Sequence, residues 1–258
     1  MPYAQSGHLR IYYEAHGSGP TLALLHGAGG NHAAWWQQTV YFRSSYRVVA
    51  VDLRGFGKSD SVTDGPDSLD FPGDLLAVLD HAEVARATVL GQSIGAVAAL
   101  RFAVSHPERV DAVILAHSLG AINHPDITPL VAADRAEAEK IPIMDRLLTK
   151  EFQTSQPAKT FLFQQLGTFN QATMRDLRNL NTSGPTPEEI SKANLRLFLL
   201  TGERDAVLKP ATIRAAQTLI PGAQLTVVPG GPHSMYWEAA DLFNMSVHLF
   251  LQQIYGGA

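Results

Sequence analysis

Gly91-Gln92-Ser93-Ile94-Gly95 places a serine between two glycines, after the apolar run Thr88-Val89-Leu90 and before Ala96-Val97-Ala98-Ala99-Leu100. A serine at such a strand-to-helix turn is held in a strained conformation that lifts its hydroxyl above the sheet edge. Small neighbours let strand and helix approach closely. The turn aims the next backbone N–H, that of Ile94, at any oxyanion formed there, and the helix N-terminus adds partial positive charge. A hydroxyl becomes a useful nucleophile only when a base takes its proton and a third group orients the base. Asp205, in Thr201-Gly202-Glu203-Arg204-Asp205, and His233, in Gly230-Gly231-Pro232-His233-Ser234, each follow an apolar run and supply those groups. His233 is expected to take the Ser93 proton and later hand it to the leaving group. Asp205 is expected to fix the imidazole tautomer and stabilise the imidazolium. The Gly-rich loop His26-Gly27-Ala28-Gly29-Gly30 brings the Ala28 N–H towards the attacked carbonyl. With Ile94 it would form an oxyanion hole, each donor being worth about 3–4 kcal/mol in the transition state.

These residues need a scaffold that gathers loops at one edge. Short apolar runs at 21–25, 46–51, 87–90, 110–116, 195–200 and 224–228 suit strands buried on both faces, and 9–15 reads as a further strand. Helical patterns at 71–81, 94–105, 210–219 and 239–254 lie between them. The alternation predicts an α/β fold: a mostly parallel central sheet flanked by helices. Its carboxyl edge is where Ser93, Asp205 and His233 would meet. From 119 to 194 the buried-strand signal disappears. Prolines punctuate helical patterns at 129–140, 143–152, 158–166 and 171–180. The expected division is a core of 1–118 and 195–258 with a helical insertion at 119–194. Within it Met144, Phe152, Phe161, Phe163, Phe169 and Met174 are expected mostly to form an internal core. Gly29, Met144, Phe163, Tyr236 and Trp237 are the candidates for lining a pocket.

His26-Gly27, Asp52-Leu53-Arg54-Gly55-Phe56-Gly57-Lys58-Ser59, the Ser93 turn, Gly202-Glu203-Arg204-Asp205 and His233 together resemble the α/β-hydrolase family. The resemblance covers about residue 9 to 250 apart from the insertion, which falls where that family carries its helical cap. It implies a cofactor-independent serine hydrolase acting on small or medium, partly apolar carboxylic esters through an acyl-enzyme. His233-Ser234-Met235-Tyr236-Trp237-Glu238 with Phe243-Asn244 is similar to meta-cleavage C–C hydrolases, small esterases and enol-lactonases. This keeps C–C bond or enol-lactone hydrolysis as the alternative. The Gly27–Gly30 loop differs from the longer glycine-proline loop of the C–C hydrolases, and serine at 93 sets the chain apart from aspartate-dependent dehalogenases. A ligand receptor or a lyase on the same scaffold is the remaining reading.

Composition narrows the field. The chain has 258 residues, 45% of them hydrophobic, enough apolar surface to offset the entropy of folding. The 20 basic and 24 acidic side chains give a net charge of −4 with no basic run, which argues against a nucleic-acid partner. The absence of cysteine removes thiolate nucleophiles, disulfides and cysteine-ligated zinc. Ten histidines occur without His-x-x-x-His spacing, so no metal site is expected, and His117 and His124 read as pocket or surface residues. The Gly27–Gly30 loop does not fit a dinucleotide-binding fingerprint. His26 is expected to support its loop rather than act as a base, and Asp52 and Arg54 to be structural partners. No secretory pattern and no stretch of roughly 20 apolar residues is visible, so a cytoplasmic protein off the membrane is expected, either monomer or homodimer, whose partner is a small-molecule ester.

Overall fold

A computed structural model describes residues 2–256. Eight strands, β1 (Tyr3–Ser6), β2 (Leu9–His16), β3 (Thr21–Leu25), β4 (Arg47–Val51), β5 (Ala87–Gln92), β6 (Val110–Ala116), β7 (Leu197–Gly202) and β8 (Gln224–Val228), form one sheet. Their order is β1-β2-β4-β3-β5-β6-β7-β8. β1 and β4 pair antiparallel with β2, and the remaining neighbours are parallel. The four-residue β1, absent from the sequence reading, is too short to leave a periodic signal. Around the sheet lie α1 (Trp36–Phe42), α2 (Phe71–His81), α3 (Ile94–Ser105), α4 (Thr128–Glu139), α5 (Ile143–Leu147), α6 (Lys150–Ser155), α7 (Pro157–Leu166), α8 (Pro187–Lys192), α9 (Pro210–Thr218), α10 (Met235–Glu238) and α11 (Ala240–Tyr255).

The continuous apolar runs of β3 to β7 are explained by burial on both faces, whereas β8, expected to be buried likewise, lies at the edge of the sheet with only Val228 buried. Ala23, Leu25, Val49, Val51, Val89 and Val113 join one core with Leu75 and Val78 of α2, Phe102 of α3 and Ile213 of α9. The intervening Leu22, Leu24, Val48, Ala50, Leu90 and Ile114 join a second core with Phe42 of α1 and Phe243, Val247 and Phe250 of α11. Successive side chains thus serve opposite layers, as the strand period of two requires. The chain leaves β3 for β4 on one side and returns to β5 on the other. That reversal opens a crevice at the carboxyl ends of β3 and β5, the loops that carry Gly27–Gly30 and Ser93.

Residues 119–194 contribute no strand to this sheet and contain α4 to α8. Two sequence expectations fail here for local reasons. The helix expected over 171–180 does not form: the N–H groups of Gln171 and Ala172 donate to the Gly55 carbonyl, and that of Arg178, which a helix would need internally, donates to Pro66. The helix expected over 143–152 breaks at Leu148, which is extended, and α6 restarts with the Thr149 hydroxyl accepting from the Phe152 N–H. Conversely, α8 carries a reciprocal Thr186–Glu189 capping box, whose signature lies in Thr186-Pro187-Glu188-Glu189. The expected aromatic core of the insertion is also thinner than anticipated. Phe152 is buried, but Phe161, Phe169 and Met174 are exposed, at 59%, 69% and 47%.

Candidate active site

Ser93 sits between β5 and α3 with φ +53° and ψ −114°, outside the comfortable regions for a residue with a side chain. Such a conformation costs on the order of 1–3 kcal/mol and persists only where its surroundings enforce it. Here the flanking glycines do so. A Cβ on Gly91 would lie 2.2 Å from the Gly95 carbonyl oxygen, and one on Gly95 would lie 2.2 Å from that of Leu25. The helix can therefore be drawn onto β3 and β5 only with hydrogen at both positions. The Ser93 N–H donates to the Ala116 carbonyl, anchoring the turn to β6.

Asp205 and His233 occupy the loops after β7 and β8. The His233 Nδ1–H donates to Asp205 at 2.9 Å to Oδ1 and 3.1 Å to Oδ2. This leaves Nε2 as the nitrogen available to a reacting group. Ser93 and His233 line one cavity of about 530 Å³, along with Ala28, Gly29, Phe163 and Tyr236. No direct hydrogen bond joins the Ser93 hydroxyl to His233 among the described residues, and unliganded sites often tighten only around substrate. Of the other pocket candidates, Met144 and Trp237 stand outside the cavity wall. Both pack in the second core, and the Trp237 indole N–H donates to the Lys159 carbonyl. Their place in the lining is taken by side chains such as Leu147 and Met174.

Asp205 has a second imidazole partner, His117, which the sequence marks as a pocket or surface residue and which lines a smaller cavity beside Ser93. His117, at the carboxyl end of β6, is 1% exposed and donates from Nδ1 to Asp205 Oδ2 at 2.9 Å. The Val207 and Leu208 N–H groups donate to Oδ1 at 2.8 and 3.1 Å. Burial alone would raise this carboxyl, but the two imidazoles and their hydrogen bonds outweigh it and hold Asp205 well below the usual carboxylate range. His117 is itself pushed down by burial, partly opposed by Asp205, so it stays neutral near pH 7. Its ring brings three ligand-type atoms together with those of Asp205 and His233. The Nδ1 to carboxylate distances are those of two N–H donors sharing one acceptor. A metal ion would have to displace both protons. The available signal for His117 was its position: it directly follows a strand whose end lies beside Ser93.

His26 has both ring nitrogens engaged: Nδ1–H donates to the Gly27 carbonyl at 2.8 Å and Nε2 accepts from the Leu53 N–H at 3.1 Å. Only the neutral ring satisfies both, and burial pushes its pKa down. It therefore ties the Gly-rich loop to the end of β4. Neither the Ala28 nor the Ile94 N–H donates to a backbone carbonyl among the described residues, which leaves both free for an oxyanion. Asp52 accepts from the His32 ring and from the Lys58 N–H, and Arg54 is clamped by Asp74 at 2.6 and 2.7 Å, so both are structural partners of this loop layer.

The profile of the alpha/beta hydrolase fold matches residues 20–240, most of the chain. The chain belongs to that family. It is similar to the dihydrolipoyllysine-residue acetyltransferase component of an acetoin cleaving system from Pseudomonas putida, 29% identical over 255 residues, 96% of this chain and 68% of that protein. It is also similar to a putative non-heme chloroperoxidase from Synechocystis sp., 25% identical across 98% of this chain and 100% of the other. A thermophilic esterase from Thermogutta terrifontis shares the fold, with a TM-score of 0.83 at 20% identity over 98% of each chain. Family, sheet order and topology thus agree on the alpha/beta hydrolase fold. The family likeness says nothing of two further cavity residues, Arg135 of α4 and Arg146 of α5. Neither was singled out from sequence, where an arginine in a polar helix carries no signal of the direction it faces.

Proposed function

We propose that this chain is a cofactor-independent serine hydrolase that cleaves a small or medium, partly apolar carboxylic ester through an acyl-enzyme on Ser93. One observation carries the reading: a serine held at φ +53° on a strand-to-helix turn shares its cavity with a histidine whose Nδ1 is locked onto a buried aspartate. In the proposed cycle His233 Nε2 takes the Ser93 proton as Oγ attacks the ester carbonyl. The Ala28 and Ile94 N–H groups hold the resulting oxyanion. As the intermediate collapses, the ester C–O bond breaks and His233 donates its proton to the leaving alcohol. Water then repeats the sequence on the acyl-enzyme and releases the acid. Asp205 fixes the His233 tautomer, His117 holds the second carboxylate oxygen in place, and residues 119–194 act as the cap over the cavity.

The test is turnover of p-nitrophenyl butyrate together with labelling by a fluorophosphonate. Wild-type protein should turn over and be labelled on Ser93, and Ser93→Ala should lose both, with turnover down by about 10⁴-fold or more. More than a few per cent of wild-type activity in Ser93→Ala would remove the acyl-enzyme. No labelling of the native protein would favour a receptor or a lyase. A higher specificity constant on a vinylogous diketone or an enol-lactone than on any simple ester would move the assignment to C–C or lactone hydrolysis.

A further inference from the structure

Arg135 lines both the 530 Å³ cavity and an adjoining one of about 310 Å³ that also reaches Ser93, so it stands where the two chambers meet. Arg146, on α5, lines the larger chamber with its Nε buried and without a hydrogen-bond partner. α5 is tied to the catalytic loop, since the Ser234 N–H donates to the Leu147 carbonyl. Among the described residues neither guanidinium forms an ion pair within 4 Å. Glu139, the one acidic side chain sharing this wall, lies one helical turn beyond Arg135 and is exposed. The enclosed arginines elsewhere have their terminal nitrogens bound: Arg54 by Asp70 and Asp74, Arg109 by Asp80, and Arg101, whose Nε is likewise buried without a partner, by the carbonyls of Asn179, Thr182 and Ser183.

A guanidinium stays charged at any relevant pH, and withdrawing one from water without a partner is costly. Two lining the cavity that holds Ser93 are placed to bind a group absent from the chain itself. Arginine's fork of donors matches a carboxylate bidentately. We propose that Arg135 and Arg146 form an anion subsite, so that the substrate is an ester carrying a free carboxylate, such as the monoester of a dicarboxylic acid. This rests on the serine-hydrolase reading and narrows its substrate class. The apolar wall from Ile143, Leu147, Phe163 and Tyr236 would hold the carbon chain between the carboxylate and the scissile carbonyl.

The experiment compares monomethyl esters of C4 to C7 dicarboxylic acids with methyl esters of the monocarboxylic acids of equal length, which carry no charge, and measures by calorimetry the binding of monomethyl glutarate and of neutral methyl pentanoate to Ser93→Ala. The wild type should prefer the charged ester at least tenfold in kcat/KM at its best chain length, and Ser93→Ala should bind monomethyl glutarate at least tenfold more tightly than methyl pentanoate. Arg135→Gln and Arg146→Gln should each lower the charged-to-neutral ratio about tenfold, with partial recovery in the lysine variants, while Arg214→Gln, at an exposed position on α9, keeps the wild-type ratio. A carboxylated alcohol on an acetyl ester tests the leaving-group side: preference for it alone assigns the anion to the alcohol half. Equal rates on charged and neutral esters of both kinds, with equal binding of monomethyl glutarate and methyl pentanoate, overturn the subsite. If that enzyme still needs Ser93, the hydrolase reading survives. If turnover persists in Ser93→Ala, that reading falls first.

Discussion

At the carboxyl edge of the sheet, the completely buried Asp205 accepts hydrogen bonds from two imidazoles and two backbone N–H groups. Within residues 119–194, the partly buried Arg135 and Arg146 line the cavity that Ser93 and His233 share, and among the described residues neither has an ion partner within 4 Å. The apolar side chains divide in the same way. The sheet's Leu22, Leu24, Leu25 and Val49 are wholly buried, whereas the insertion leaves Phe161 and Phe169 largely in water. The core has settled its charges and its surface internally and is built for rigidity. The proposed anion subsite would give residues 119–194 a role in recognition. Preorganised dipoles beside the nucleophile suit chemistry, and unpaired groups on the cavity wall suit recognition.

The contrast can be broken at several points. Asp205→Asn should lower kcat by about 10³–10⁴-fold with little change in fold, because the asparagine cannot hold the same His233 tautomer; steady-state kinetics with circular dichroism checks it, and a loss under tenfold would detach the carboxylate from the site. Leu24→Ala, in the middle of β3, should cost about 2–5 kcal/mol in urea denaturation. Gly95→Ala should be similarly costly, since its methyl would meet the Leu25 carbonyl at 2.2 Å. His117→Gln should cost roughly 1–2 kcal/mol by the same measurement, through the buried hydrogen bond to Asp205, and should reduce kcat less than Asp205→Asn does. A pH series should find stability lost on acidification. His117 and His26 both have folded-state pKa values pushed below 6.5, chiefly by burial, so their contribution is present above pH 6.5 and is lost as pH falls beneath it, by at most about 1.4 kcal/mol per group per pH unit. Phe161→Ser, on the insertion, should change stability by no more than about 0.5 kcal/mol.

From the linear order of residues came the α/β class, the buried strands, and the sharp turn at Ser93, because strand period and turn chemistry are local properties that neighbouring residues impose on one another. The span of α2 at Phe71–His81, of α3 at Ile94–Ser105 and of β8 at Gln224–Val228 was legible for that reason. What required the folded chain was everything settled by residues distant in sequence: the withdrawal of 171–180 from a helix by carbonyls at Gly55 and Pro66, the pairing of His117 with Asp205 across 88 positions, and the facing of Arg135 and Arg146 into the cavity. A backbone donor bonds to whichever acceptor the tertiary fold brings near, and a side chain's direction is fixed by packing against partners its own segment does not name.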